Sequence, residues 1–226
     1  MASEVDICNL ALANLGDAAT VISIYPPEGS AQAQHCARFY PIARDTLLEM
    51  HNWNFSTKRA VLEEIDNSWT MWKYAYALPN NCINPISVMS NEAYDDYATR
   101  FVPTDTPQFA HNYSPVIAAG RYVPQTYTIE TLPSGLHVLY TNQENAVLRY
   151  QASVTDTAEF SSLFVATLSW HLAAMLAGPV IKGDAGAAEA KRCAQMMAGF
   201  LAEAKRSDGN QRNIKVEHIV PWTSGR

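Results

Sequence analysis

The chain has 226 residues, of which 48% are hydrophobic and 17% charged, and its formal net charge is −6. This composition is too apolar for a disordered protein, and no segment is expected to be apolar enough to span a membrane. An acidic surface repels phosphate, which disfavours tight nucleic-acid binding through a basic face, although DNA could pass without being held.

The first fifty residues predict two helices. Ser3 and Asp6 have the spacing of a capping box, and apolar residues then recur at steps of three and four. Ser30 can cap a second helix that runs to about His51. Pro41 lies inside this second pattern and removes a backbone donor, so we expect a kink or a break there.

From Trp53 onward the sequence changes to short segments that are rich in aromatic and β-branched residues and separated by turn formers. These segments predict strands at 52–62, 73–78, 127–131, 138–142 and 146–151. The last three are expected to form an antiparallel meander. Residues 97–125 contain four prolines among Asn, Thr and Tyr, which predicts a long irregular loop.

Two helices are predicted near the end of the chain. The first runs from Ala158 to about Ala177 and is apolar around most of its circumference, which indicates a central or interface position. Gly178-Pro179 should stop or bend it, and a turn at 182–184 should follow. The second helix has one apolar face, made of Ala190, Ala194, Met197, Leu201 and Ala204. The last twenty residues have no helical period, although several are apolar, and such a tail often orders on a partner.

The order of these elements predicts an α+β protein. Residues 1–52 and 156–206 should form a helical bundle of N- and C-terminal helices. Residues 53–155 should form a central antiparallel β-rich domain that projects from the bundle, and residues 207–226 an extended C-terminal tail.

The N-terminus and the cysteines both indicate a reducing compartment. The first residues carry acids where a secretory signal needs bases, so we expect folding in the cytoplasm. The cysteines stand far apart without a C-x-x-C pair, so we expect buried apolar residues and neither a metal nor a cofactor. They are Cys8, Cys36, Cys82 and Cys193.

Candidate catalytic sites are weak. No G-x-S-x-G elbow is present, the stretch 178–186 has an acid where a phosphate loop needs lysine, and His171 fits a hydrogen-bonded core residue. The best candidate is the segment containing His51, Trp53 and Phe55, in which the histidine could transfer protons and the rings could stack on a ligand. No second acid or base lies at a useful spacing from His51, so a helix-end histidine favoured by the helix dipole is the preferred interpretation.

Four blocks of residues occur in a characteristic order. The first is Cys8-Asn9-Leu10-Ala11-Leu12 with Leu15-Gly16, and the second is Cys36, Tyr40, Ala43-Arg44-Asp45, Leu48 and His51-Asn52-Trp53-Asn54-Phe55. The third runs from Trp72 to Pro79 and is followed by Cys82. The fourth comprises Leu148-Arg149-Tyr150, Val154-Thr155-Asp156, Phe160, Leu172-Ala173 and Pro179.

This pattern resembles the head-to-tail adaptor proteins of short-tailed bacteriophages, also called tail tubular protein A or gatekeeper proteins. The resemblance covers about residues 5–85 and 145–205, whereas 86–145 carry no family motif. One departure is that Asn80-Asn81 precedes Cys82, where the family often has an acid.

The resemblance implies a structural virion protein of the head-tail junction, assembled in the host cytoplasm, without catalytic activity or cofactor. Twelve copies would form a ring between the portal protein and the tail nozzle (tail tubular protein B-like) protein, and double-stranded DNA would pass through without sequence-specific binding and without membrane contact. The C-terminal part would reach the portal, so the predicted portal-binding residues are Ile214, Val216, Ile219, Val220 and Trp222. A small cytoplasmic hydrolase, or a ligand-binding module, using His51, Trp53 and Phe55 remains the alternative.

Overall fold

The computed structural model describes residues 2–18, 20–67, 69–91 and 125–211. Within these ranges it contains four α-helices, which are α1 Glu4–Asn14, α2 Ala31–Glu49, α3 Ser162–Ile181 and α4 Gly183–Gly209. The strands are β1 Thr57–Val61, β2 Glu63–Ile65, β3 Tyr74–Ala77, β4 Cys82–Ser90, β5 Tyr127–Thr131, β6 His137–Thr141 and β7 Ala146–Ala152. The predicted α+β class is confirmed.

The described chain divides into two compact units. The helical unit consists of the described residues up to Thr57 together with those from Ala152 to residue 211, and it contains all four helices. The β unit consists of Lys58–Gln151. In the helical unit, α1, α2 and α4 each pack against α3.

The N-terminal caps form as the sequence predicts. Ser3 Oγ accepts a hydrogen bond from Asp6 N at 3.1 Å, and Ser3 N donates to Asp6 Oδ2 at 2.9 Å. This backbone hydrogen bond is the main reason that the pKa of Asp6 is lowered. At α2, Ser30 Oγ accepts from Ala33 N at 3.1 Å.

Helix α2 continues through Pro41, so of the predicted kink or break the break does not occur. Proline removes the donor that would normally bond to the carbonyl four residues earlier, which here belongs to Ala37. That carbonyl instead accepts a hydrogen bond from Tyr25 Oη at 3.3 Å. The loop before α2 therefore supplies the missing donor, and the buried face on both sides of Pro41 keeps the helix packed.

Helix α3 differs from its prediction at both ends. A 3₁₀ turn at Thr157–Glu159 precedes it, and the helix begins only at Ser162, where Ser161 Oγ accepts from Phe164 N at 3.2 Å. It then runs past Gly178-Pro179 to Ile181, so of the predicted stop or bend the stop does not occur. It ends because Lys182 has a φ of +63°, which turns the chain directly into α4.

The expectation that no segment is apolar enough to span a membrane is also wrong. Helix α3 meets that criterion by length and composition, with a mean hydropathy of 1.6. Half of that window, 50%, is buried within the protein, because α1, α2 and α4 pack around it. The apolar circumference is therefore that of a central core helix.

Helix α4 is longer than predicted, and its buried face is slightly rotated. Cys193 is buried, whereas the neighbouring Ala194, assigned to the apolar face from the sequence, is exposed. The helix continues to Gly209. The predicted tail at 207–226 thus begins with helical residues rather than extended ones.

The β unit contains two antiparallel sheets, with strand orders β1-β7-β4 and β2-β3-β6-β5. The predicted β5-β6 pairing is confirmed, and Ile129 lies opposite Leu139. The third strand of the predicted meander is wrong, because β3 pairs with the other edge of β6 and β7 lies between β1 and β4 in the three-stranded sheet. Strand β4 was missed because it contains Pro85, which argues against a strand.

Candidate functional site

The segment after α2 folds into a tight turn instead of starting a strand. Trp53 N donates to His51 O at 3.0 Å, and Ser56 N donates back to Trp53 O at 3.2 Å. The hydroxyl of Thr57 donates to the same carbonyl at 2.8 Å. Because these bonds curl the backbone, the strand predicted from residue 52 begins only at Thr57.

Trp53 belongs to an aromatic cluster formed with Phe55, Phe160 and Phe164. It is 1% exposed, and its Nε1 donates to Leu47 O at 3.0 Å. The Trp53 ring packs edge-on against Phe164 at a centroid distance of 5.1 Å and stacks on Phe55 at 6.1 Å. The protein itself occupies the surfaces of Trp53, so this ring is not presented to a ligand.

Asp208, in the last turn of α4, joins the same turn. Its Oδ1 accepts from Asn54 N at 3.0 Å, and its backbone carbonyl accepts from Asn54 Nδ2 at 2.6 Å. Its Oδ2 lies 3.3 Å from Nε2 of His51. Asp208 is only 7% exposed, so a buried carboxylate fixes the turn from a position 157 residues away from His51.

No acid at a useful sequence spacing was expected to act with His51, and the structure supplies one from the distant Asp208. Asp208 was assigned to the tail, although it stands four residues after Ala204 and so continues the apolar face of α4 at helical spacing. Burying an acid on that face is costly unless it has hydrogen-bond partners. The position of Asp208 on the apolar face was therefore the signal in the sequence that such partners exist. The sequence did not reveal that the partner was Asn54.

His51 and Asp208 are residue types that can form an acid–base dyad, but their hydrogen bonds are those of a structural contact. A carboxylate can fix the tautomer and orientation of an imidazole, as in hydrolytic triads. The separation of 3.3 Å is, however, longer than the roughly 2.8 Å of a strong charge-assisted bond. The shorter hydrogen bonds of Asp208 are those with Asn54, so Asp208 mainly positions the turn.

Other residues singled out from the sequence occupy structural positions. His171 is a core residue, as expected, at 9% exposure; burial lowers its pKa, and its Nε2 has no hydrogen-bond partner. The stretch 178–186 joins two helices, as predicted, but it consists of the end of α3, the single residue Lys182 and the start of α4. Cys8, Cys36 and Cys193 are buried, whereas Cys82 is half-buried and has its pKa raised by burial to about 11.

The predicted portal-binding residues, Ile214, Val216, Ile219, Val220 and Trp222, lie outside the described residues, as does nearly all of the loop predicted at 97–125. Comparison of the sequence with protein-family models and with curated proteins gave no match.

Proposed function

We propose that this chain is a head-to-tail adaptor of a short-tailed bacteriophage, a structural virion protein that forms a ring between the portal and the tail nozzle and conducts DNA. In this proposal the four helices form a bundle and the β-rich domain projects from it. The observation that carries the proposal is the set of four sequence blocks in the order of that family.

The positions of these blocks support a structural role. Many of their apolar residues are buried, and those in the core of the helical unit include Leu12, Tyr40, Trp53 and Leu172, each 1% exposed or less. A resemblance carried by core residues concerns a shared fold and assembly more than a shared reactive centre. The His51–Phe55 block supplies the aromatic cluster and the contact to Asp208.

Exposed apolar side chains of the helical unit also suit an assembling protein. Ile22 is 80% exposed, Tyr25 57% and Ile42 52%. In a closed ring each subunit has two neighbours, and side chains of this kind are the ones that such contacts bury. The net charge of −6 fits a channel through which DNA moves without being gripped.

A small hydrolase is the second candidate, because Asp208 gives His51 an acidic partner. The variant His51→Gln distinguishes the two proposed functions. An adaptor should retain portal binding when His51 is replaced. If the wild-type chain instead hydrolysed a simple ester and the folded variant did not, the hydrolase would be favoured.

The direct test of the adaptor proposal uses the portal protein encoded in the same genome. The purified chain is mixed with assembled portal rings, and the mass of the complex is measured by native mass spectrometry. We expect one adaptor per portal subunit, hence twelve per ring. A complex of any other ratio, or no complex, would contradict the proposal.

A second test addresses the tail. Removal of residues 212–226 leaves Asp208 and the end of α4 in place, whereas a cut at residue 208 would also remove the tie to Asn54. The shortened chain should keep its melting temperature and bind the portal more than tenfold more weakly, because apolar side chains dominate such contacts. Trp222→Ala should weaken binding in the same direction, and Ser224→Ala is the matched control. Undiminished portal binding after the deletion would show that docking uses another surface.

A further inference from the structure

A single residue connects the two longest helices of the described chain. Helix α3 ends at Ile181, Lys182 follows, and α4 begins at Gly183. Helical hydrogen bonding reaches this point from both sides, because Lys182 N donates to Gly178 O at 3.0 Å and Gly186 N donates to Lys182 O at 3.2 Å. Only the backbone angles at Lys182 and Gly183 therefore separate two helices from one continuous helix.

The connection is strained at Lys182. Its φ is +63° and its ψ is 162°, a combination that glycine adopts readily and residues with a Cβ rarely adopt. The next residue, Gly183, also has a positive φ, of +62°, but a glycine adopts this angle without strain. Lys182 also provides no side-chain cap for the first N–H groups of α4. The tight turn therefore carries a conformational cost that a straight helix would not have.

A straight connection would relieve this strain without meeting a new obstacle. Pro179 already lies inside α3, so extending the helix through Lys182 brings no further proline into it. Lysine is a good helix former, and Gly183 is the residue that would oppose the extension. Straightening would, however, remove α4 from the α3 of its own chain, which would expose the buried faces of both helices.

Specific contacts hold α4 to the rest of the helical unit. The ring of Phe200 stacks on Trp170 of α3 at a centroid distance of 6.4 Å, and the Arg192 guanidinium carbon lies 5.3 Å from the centre of the same ring. Arg192 Nη2 also donates to the carbonyl of Asn14, the last residue of α1, at 2.9 Å. Every one of these groups is present in a second copy of the chain. The surface that α4 covers therefore fits the α4 of a second copy equally well.

We propose that two copies of this chain exchange α4 and form a dimer. In each copy α3 and α4 join through Lys182 and Gly183 into one helix, and α4 packs on the α3 of the other copy. The contacts of Arg192 and Phe200 then form between copies, so the dimer regains them while losing the strain at Lys182. Short, strained hinges favour such an exchange. Exchange of α4 is a property of the free chain and does not depend on the adaptor function.

Two substitutions at the hinge should shift the equilibrium in opposite directions. Gly183→Ala introduces a Cβ at a positive φ and disfavours the turn, while alanine favours the straight helix. Lys182→Gly removes the strain from the turn and disfavours the straight helix. Because each dimer contains two hinges, Gly183→Ala should lower the dissociation constant of the dimer by roughly a hundredfold or more, and Lys182→Gly should raise it. Gly199→Ala, in the middle of α4, is the matched control, since it favours both forms equally.

The measurement uses the full-length chain and these variants. Each is partly unfolded in urea, refolded at low and at high protein concentration, and separated by size-exclusion chromatography with light scattering. We expect a minor dimer fraction for the wild type, a predominant one for Gly183→Ala and almost none for Lys182→Gly. An exchanged dimer separates only after α4 leaves the other copy, so the isolated dimer should persist for hours after dilution and dissociate faster in mild urea. A dimer formed side by side would separate during the dilution.

Three results would overturn the proposal. One is that folded Gly183→Ala remains monomeric at every concentration. Another is that Lys182→Gly dimerises as strongly as Gly183→Ala, because strain at the hinge would then play no part. The third is that the dimer separates at once on dilution. If Gly183→Ala does not fold, the wild type and Lys182→Gly are compared, and equal dimer fractions in these two would also refute the exchange.

Discussion

Asp208 offers the sharpest test of how the turn after α2 is held. The perturbation is Asp208→Ala, which removes the carboxylate but leaves the backbone carbonyl that Asn54 Nδ2 contacts. Asn54 N then loses its acceptor, and His51 loses its carboxylate neighbour. The prediction concerns the free energy of unfolding, because the side chain is 7% exposed and water cannot easily replace it.

The expected cost follows from the individual contacts. A hydrogen bond to a charged group contributes about 1.5–3 kcal/mol, and the longer contact to His51 should add less than about 1 kcal/mol. Alanine is a better helix former than aspartate, and an acid near a helix C-terminus is unfavourable, so the substitution regains roughly 0.5–1 kcal/mol. The net loss for Asp208→Ala should be on the order of 2 kcal/mol.

Urea unfolding, monitored by circular dichroism, measures this loss in the free energy of unfolding. At about 2–4 °C per kcal/mol, the melting temperature should fall by roughly 4–8 °C. Asp208→Asn keeps an oxygen for Asn54 N and should cost about half as much. Glu203→Ala, at an exposed position of the same helix, is the matched control and should stay within about 0.5 kcal/mol of wild type. If Asp208→Ala behaved like Glu203→Ala, the tie would contribute nothing to stability.

Three further predictions concern the helical unit. A Cβ at Gly186 would lie 2.9 Å from a carbonyl oxygen of α3, so Gly186→Ala should destabilise by about 1–2 kcal/mol, whereas Gly199→Ala meets nothing within 4 Å and should stabilise by about 0.5–1 kcal/mol in the same urea assay. Burial lowers the pKa of His171, so its contribution is complete above the unfolded value of 6.5 and is lost as the pH falls below it. His171→Leu should therefore flatten the decline in stability between pH 7.5 and 5.5. Trp53→Ala should lower the free energy of unfolding by about 3–5 kcal/mol, because it removes a large buried ring from the aromatic cluster. His51→Gln should lower it by under about 1 kcal/mol, because the contact to Asp208 is long. Equal losses for these last two would refute the structural interpretation of Trp53.

Local chemistry made much of the helical unit predictable. Ser3 and Ser30 cap the helices that they were expected to cap, because capping involves residues only three apart. Neither helix is interrupted at its proline, and the reason at Pro41 is not local. Whether a helix survives Pro41 depends on a donor for the freed carbonyl, and Tyr25 supplies that donor from a neighbouring loop. Such a partner is invisible to a rule based on the helix alone.

Strand pairing was the less predictable part of the fold. The alternation in 127–131 and 138–142 identifies two strands and a turn, and the register of β5 on β6 follows from that turn. The local sequence does not determine which strand pairs with the other edge of β6. That choice depends on side chains brought together from distant positions, and Ala75, Val138 and Tyr140 form the core that places β3 there.

The candidate site illustrates the same division between local and distant information. His51, Trp53 and Phe55 were recognised from composition within a few residues, and the structure places all three in one turn. What the turn does depends on Asp208 and Phe164, which are more than a hundred residues away. Aromatic rings pack around Trp53, and Asp208 is hydrogen-bonded to Asn54. These side chains suggested a reactive site, but their polar atoms and ring faces already have partners within the protein. A histidine next to an aromatic pair therefore indicates a binding site only after the partners of those rings are known.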